Sequence, residues 1–137
     1  MRILLVLLVM AGLSGAASAF SDTDRAAIQS TIEQQLQAFL GDDAARAYSF
    51  AAPNIRARFP TKDIFMEMVR KGYPQVYRPR TYAFGELKEE AGYLAQDVDI
   101  VDADGGYWTA RYTLERQPDG SWKITGCYLL KKPGQVA

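Results

Sequence analysis

Between Tyr107 and Leu130 the chain alternates apolar and polar side chains on either side of one reversal. Trp108, Ala110, Tyr112, Leu114, Trp122, Ile124, Tyr128 and Leu130 fall on one face. Thr109, Arg111, Thr113, Glu115, Ser121, Lys123 and Thr125 fall on the other. A period of two with one apolar face predicts an antiparallel hairpin packed on one side and wet on the other. The reversal is Gln117-Pro118-Asp119-Gly120, with proline where φ near −65° is wanted and glycine where φ must turn positive. A three-residue loop over Pro118 to Gly120 would set Leu114 opposite Ile124, Tyr112 opposite Gly126, Ala110 opposite Tyr128 and Glu115 opposite Lys123.

Upstream the same reading predicts a strand from Tyr93 to Val101, with Leu94, Val98 and Ile100 inward and Asp97 and Asp99 outward. It enters the hairpin through an Asp104-Gly105-Gly106 turn. A further strand is expected from Thr81 to Leu87. Tyr73 to Arg80 holds Pro74 and Pro79 and is expected to be an extended or edge passage. Before it the period changes to that of helices. Ile28, Ile32, Leu36 and Phe39 make one stripe of a helix that Ser21 or Asp22 caps and Gly41 ends. Asp42 or Asp43 caps a short second helix through Phe50, and Pro53 starts a further turn to Phe59. Thr61 caps a helix from Lys62 to Lys71 with Ile64, Phe65, Met68 and Val69 buried, closed by Gly72. Helices followed by a strand meander predict an α+β domain in which the helices cover one sheet face.

The first 19 residues stand apart. Met1-Arg2, the apolar run Ile3 to Leu13 and the small residues Ala17-Ser18-Ala19 form a secretory leader cleaved near Ala19. The run falls short of the roughly 20 residues that a membrane span needs, so no span is expected after cleavage. The exported, periplasmic or secreted chain of 118 residues (20–137) suits one domain, with a tail expected to fray from Lys131. Without Arg2 it holds 15 basic and 16 acidic residues, a net −1 that supplies no global field for nucleic acid. Its charges are segregated nonetheless, with seven basic residues from Asn54 to Arg80 and seven acidic ones from Glu86 to Asp104. The sole cysteine, Cys127, excludes an internal disulfide and is expected to behave as a small strand hydrophobe.

Chemistry is sparse. The chain has no histidine, which removes the side chain best matched to proton transfer near neutral pH. Asp97, Asp99 and Glu115 share the polar face, Asp42 and Asp43 read as helix caps, and Asp102 with Asp104 reads as hairpin chemistry rather than a calcium loop. Neither Ser49 nor Cys127 has an evident base, so no catalytic residue, metal site or cofactor is implied. What remains is a pocket with polar handles. Gln96 and Tyr112 on the inner face, joined by Tyr128, are the candidate ligand-binding residues, with Tyr48 and Arg56, and also Tyr73 and Tyr77, at the rim. An inward glutamine needs partners: either Tyr112 or Tyr128 satisfies it, or it meets a ligand or water.

The helices, the late meander and the ending Asp119-Gly120-Ser121-Trp122-Lys123-Ile124 resemble the nuclear transport factor two-like superfamily. More narrowly, Gln37-Ala38-Phe39, Asp42, Asp43, Ala47-Tyr48-Ser49-Phe50, Pro53, Phe65, Met68-Val69, Gly72-Tyr73 and Tyr112-Thr113-Leu114-Glu115-Arg116 through Gly126-Cys127 resemble exported proteobacterial proteins of domain of unknown function 4864. The broader resemblance implies a curved sheet that wraps a long helix around a conical cavity often used for small molecules. The narrower one implies no activity. The expectation is therefore a non-catalytic binding module for a small amphipathic molecule or a partner protein, or a homodimer through the open sheet face. The competing expectation is a proton-transfer or hydrolytic enzyme using a tyrosine or aspartate in the cone.

Overall fold

The computed structural model describes residues 21–90 and 93–133, so the predicted leader lies outside the described residues. Helix α1 (Asp22–Leu40) begins where the Ser21 side chain accepts the Asp24 N–H at 3.0 Å. Its stripe Ile28, Ile32, Leu36 and Phe39 is buried to within 2% of complete, and Thr31, Gln35 and Ala38 are buried as well. The helix therefore lies in the core rather than on it. Gly41 ends it with φ −89°, and the left-handed step falls one residue later, on Asp42 at φ 51°.

Asp43 then caps α2 (Ala44–Ser49), Pro53 opens α3 (Pro53–Arg58), and Thr61 caps α4 (Lys62–Gly72). On α4 the buried residues are Phe65, Met66 and Val69, while Ile64 is 49% exposed. The rotation is set by Phe65, whose ring meets Tyr48 at 5.5 Å and Phe39 at 6.3 Å and so turns Ile64 to the flank. The expected extended passage after it is instead a single helical turn, α5 (Pro74–Tyr77). Pro74 sits at its first position, where a missing N–H costs nothing, and Val76 is buried.

Four strands follow, β1 (Thr81–Glu90), β2 (Tyr93–Val101), β3 (Tyr107–Arg116) and β4 (Trp122–Lys131), in the order β1-β2-β3-β4. All pairs are antiparallel, and the sheet is curved and unclosed. The α+β architecture expected from the alternation is the one observed. Leu94↔Leu114, Gln96↔Tyr112, Val98↔Ala110 and Ile100↔Trp108 pair across β2 and β3 on the face that meets the helices. The turn between β3 and β4 closes with Gln117 and Ser121 bonded and Gly120 at φ 86°.

Two bulges bend the sheet. On β1, Gly85 and Glu86 together oppose Asp97. On β4 the register passes from Leu114↔Ile124 to Thr113↔Gly126, so Thr125 has no opposite number. Beyond it every side chain changes face. Cys127 and Leu129 turn inward against the core, while Tyr128 and Leu130 are 65% and 44% exposed. The inward placement of Tyr128 and Leu130, and the pairings of Tyr112 with Gly126 and Ala110 with Tyr128, are therefore replaced by Tyr112↔Cys127 and Ala110↔Leu129. The cause is local. Ala52 N–H donates to Ile124 O and Ile124 N–H to Phe50 O, both at 2.8 Å, and Asn54 Nδ2 donates to Thr125 O at 2.9 Å, pinning this end of β4 to the α2–α3 connection. Gly126 allows the crowding, since a Cβ there would stand 3.1 Å from Thr113 Oγ1.

Lys131 ends β4, and Lys132 N–H still donates to Tyr107 O at 2.8 Å, so the chain is paired past the point where it was expected to fray. No helix among the described residues is long and apolar enough to cross a membrane.

Asp42 does more than turn the chain. Its carboxylate accepts from the Tyr77 hydroxyl and from Arg78 Nη2 at 2.9 Å, with Arg70 at 3.7 Å. Arg78 also lies 3.9 Å over the Tyr77 ring and donates to Phe39 O at 2.5 Å, so α5 is fastened to the end of α1. The Tyr77 hydrogen bond, assisted by Arg78 and Arg70, holds the Asp42 carboxyl below its ordinary value of 3.8. A lowered pKa makes the group stabilising above its unfolded value, a contribution lost as pH falls through the folded one. Asp42→Asn keeps a residue that tolerates positive φ and removes the charge together with one of the two acceptor oxygens. Thermal melts should show a stability deficit for Asp42→Asn that is constant above about pH 5 and shrinks below about pH 4; a deficit of the same size at pH 3 would sink this account.

Candidate functional site

The bulge on β4 leaves a cavity of about 430 Å³ between the helices and the sheet, near the small end of ligand pockets. Uninterrupted alternation would have driven the Tyr128 ring into this space. Cys127 points there instead, next to a residue with no side chain. Phe39, Phe65, Val69 and Val76 supply the apolar walls from α1, α4 and α5, and Ile124 and Tyr112 close the sheet side. Ile55, Arg58 and Phe59 bound it from α3 and the turn after it.

Its polar groups are few and all but one are neutral. Tyr112 is 2% exposed, and its hydroxyl has no nitrogen or oxygen partner among the described residues; the polar group beside it is the Cys127 thiol, a weak hydrogen-bonding partner. Burial pushes the Tyr112 hydroxyl well above its ordinary value of 10 and the Cys127 thiol up to about 12, so both keep their protons. Burial also raises the Tyr73 hydroxyl, with the Arg58 charge pulling the other way. Arg58 is the one charged side chain in the lining, which contains no Asp or Glu among the described residues.

Carboxylates lie elsewhere, and among the described residues every one whose acidity is displaced is displaced downward: Asp42, Glu67, Asp102 and Asp119. Asp102 accepts from Trp108 Nε1 at 2.8 Å, Gly106 N–H at 2.7 Å and Asp104 N–H at 2.9 Å, which is the hairpin role read from the sequence. No group of three or more potential metal ligands occurs among the described residues. Of the hydroxyls and thiols that line this cavity, those of Tyr73, Tyr112 and Cys127 hold their protons more tightly than usual.

Of the five residues singled out from the sequence, Tyr112 and Tyr128 reach the cavity, Tyr128 from the exposed side of the edge strand. Gln96 is fully buried but does not line it. Its amide donates to Gly85 O at 3.1 Å, Glu86 O at 3.4 Å and Asp97 O at 2.8 Å, and its oxygen accepts from Gln29 at 3.3 Å. It thus plugs the carbonyls that the β1 bulge leaves unpaired, a solution that needs neither tyrosine nor ligand. Tyr48 donates to Phe59 O at 2.7 Å and carries the Arg56 guanidinium 4.7 Å over its ring. Arg56 in turn donates to Ala51 O and Tyr48 O, so this pair braces the α2–α3 corner outside the cavity. Tyr77 belongs to the Asp42 cluster, and of the expected rim only Tyr73 lines the cavity. Arg58 and Cys127 were not singled out as pocket residues. The sequence signal for Cys127 was Gly126, a glycine inside a strand.

The family model described as Domain of unknown function (DUF4864) matches residues 21–137, which spans the helices, the sheet and every residue of the cavity. No curated protein and no solved structure matches the chain.

An unpartnered buried hydroxyl costs about 1 to 3 kcal/mol. Tyr112→Phe removes that cost at nearly constant shape, so the variant should gain about 1 kcal/mol in denaturant unfolding, or about 4 °C in Tm. A loss of comparable size would mean that the hydroxyl is satisfied in the free protein.

Proposed function

For this chain, which belongs to the DUF4864 family, we propose that its function is to bind a small amphipathic molecule in the cavity beneath the β4 bulge, without performing chemistry on it. One observation carries the reading, namely the Tyr112 hydroxyl, buried at the cavity wall with no partner stronger than the Cys127 thiol. Proteins pair the great majority of their buried polar groups, and an unpaired hydroxyl on a residue that lines an apolar cavity favours a ligand oxygen that reaches it when the wall gives way on binding. The retained protons of Tyr73, Tyr112 and Cys127 favour binding over the proton-transfer alternative. The leader pattern of residues 1–19 supports a periplasmic or secreted site of action, and helices preceding an open meander support a cone of the nuclear transport factor two-like kind.

A second reading concerns the outer face of the sheet, where Tyr107, Tyr128 and Leu130 are 41%, 65% and 44% exposed. Apolar side chains gathered beside the Asp97–Arg111 and Asp99–Lys132 ion pairs favour a second copy packing there. Sedimentation equilibrium should find a dimer that Leu130→Lys converts to monomer; a wild-type monomer at all concentrations would end this reading.

The binding reading is tested with N-phenyl-1-naphthylamine, an uncharged probe that fluoresces in apolar surroundings. Wild type should bind it saturably, and Met68→Trp, which fills the cavity from α4, should weaken binding about tenfold or more. No enhancement with the folded wild-type protein would remove the proposal.

A further inference from the structure

Building on the binding reading above, we propose that the cavity selects for acids: its ligand is an amphipathic monocarboxylate whose apolar body lies among Phe39, Phe65 and Val69 and whose carboxylate is held at Arg58 beside Tyr73. The sign of the preferred head group follows from what lines the cavity. Arg58 contributes its only formal charge among the described residues, and no carboxylate is present to neutralise it or to receive an ammonium group. Tyr73, Tyr112 and Cys127 are donors that retain their protons, so the polar wall offers hydrogen bonds to oxygen acceptors.

Arg58 is also set apart from its neighbours. In the basic segment from Asn54 to Arg80, Arg56 is spent on backbone carbonyls, Lys62 on Asp63, Lys71 on Glu67, and Arg70 and Arg78 on Asp42, which leaves Arg58 and Arg80, and of these two only Arg58 lines the cavity. Arg58 has no hydrogen bond or ion pair among the described residues, its one close partner being the Phe59 ring, 5.9 Å below the guanidinium. Arg58 and Tyr73 line the same cavity, which gives it a cation and a neutral donor. A planar guanidinium with free N–H groups takes a carboxylate through two parallel bonds, and a phenol alongside adds a third. The same site opposes a cationic head by like charge.

The test is displacement of N-phenyl-1-naphthylamine by a ten-carbon series that differs only in the head: decanoate, decanol and decylamine at pH 7. Decanoate should compete about fivefold to tenfold better than decanol, the worth of one partly exposed ion pair, with decylamine weakest. Rising salt should narrow the gap. Arg58→Gln should bring the ratio of decanoate to decanol competition to about one, and Arg58→Lys should restore part of the preference. Equal competition by decanoate and decanol, or an acid preference that survives Arg58→Gln, overturns the inference while dye binding keeps the cavity reading standing. Failure of the wild type to bind the dye removes the cavity reading and this inference together.

Discussion

The structure turns on one extra residue in β4. Because Thr125 opposes nothing on β3, the strand serves two partners, the sheet on one side and the Phe50–Asn54 connection on the other. The hydrogen bonds that tie Ile124 to Phe50 and Ala52 would otherwise leave an edge strand unpaired at this point. They also bring α3 against the sheet, and α3 supplies the only cation of the cavity wall among the described residues. Without the bulge a tyrosine would occupy the interior where a thiol now sits, and the core would be full.

The second bulge shows how such a departure is stabilised. Gly85 and Glu86 lose ladder partners for their carbonyls, and Gln96 on the neighbouring strand restores them with one amide. This answers why a glutamine stands in an otherwise apolar row. Gln96 and Gln35 are buried and serve the backbone, whereas the Tyr112 hydroxyl and Gln75 Oε1 are buried without a partner among the described residues, and of these two residues only Tyr112 lines the cavity. The contrast gives the cavity its chemical character, since protons are held there and charge enters only from Arg58.

Much of the fold was legible in the residues because local chemistry and long-range packing agree. Ser21, Asp43 and Thr61 cap the helices they were expected to cap or shared in capping, and the Gln117–Gly120 reversal sets the register of the last hairpin as far as Ile124. What was not legible depends on tertiary contacts. Strict alternation carried Tyr128 and Leu130 inward because nothing next to them marks the bulge except Gly126, whose effect depends on Asn54 and Ala52 arriving from far along the chain. Ile64 was assigned to the core because it is apolar, whereas aromatic contacts of Phe65 decide the rotation of α4. The candidate site suffered most. Gln96, Tyr48 and Arg56 were chosen as polar groups in apolar company, and each turned out to be occupied by backbone carbonyls that only the fold brings near.

The bridge between Ala51 and Ile124 has a consequence in time as well as in space. It joins the helical half to nearly the last strand synthesised, so the loop that must close is most of the domain, and such distant pairing slows folding. Until β4 arrives, the aromatic faces of α1 and α4 have nothing to cover them on that side. The folding chain must therefore travel with its most adhesive surface open until β4 docks, which makes that strand the step that commits the domain to a finished shape.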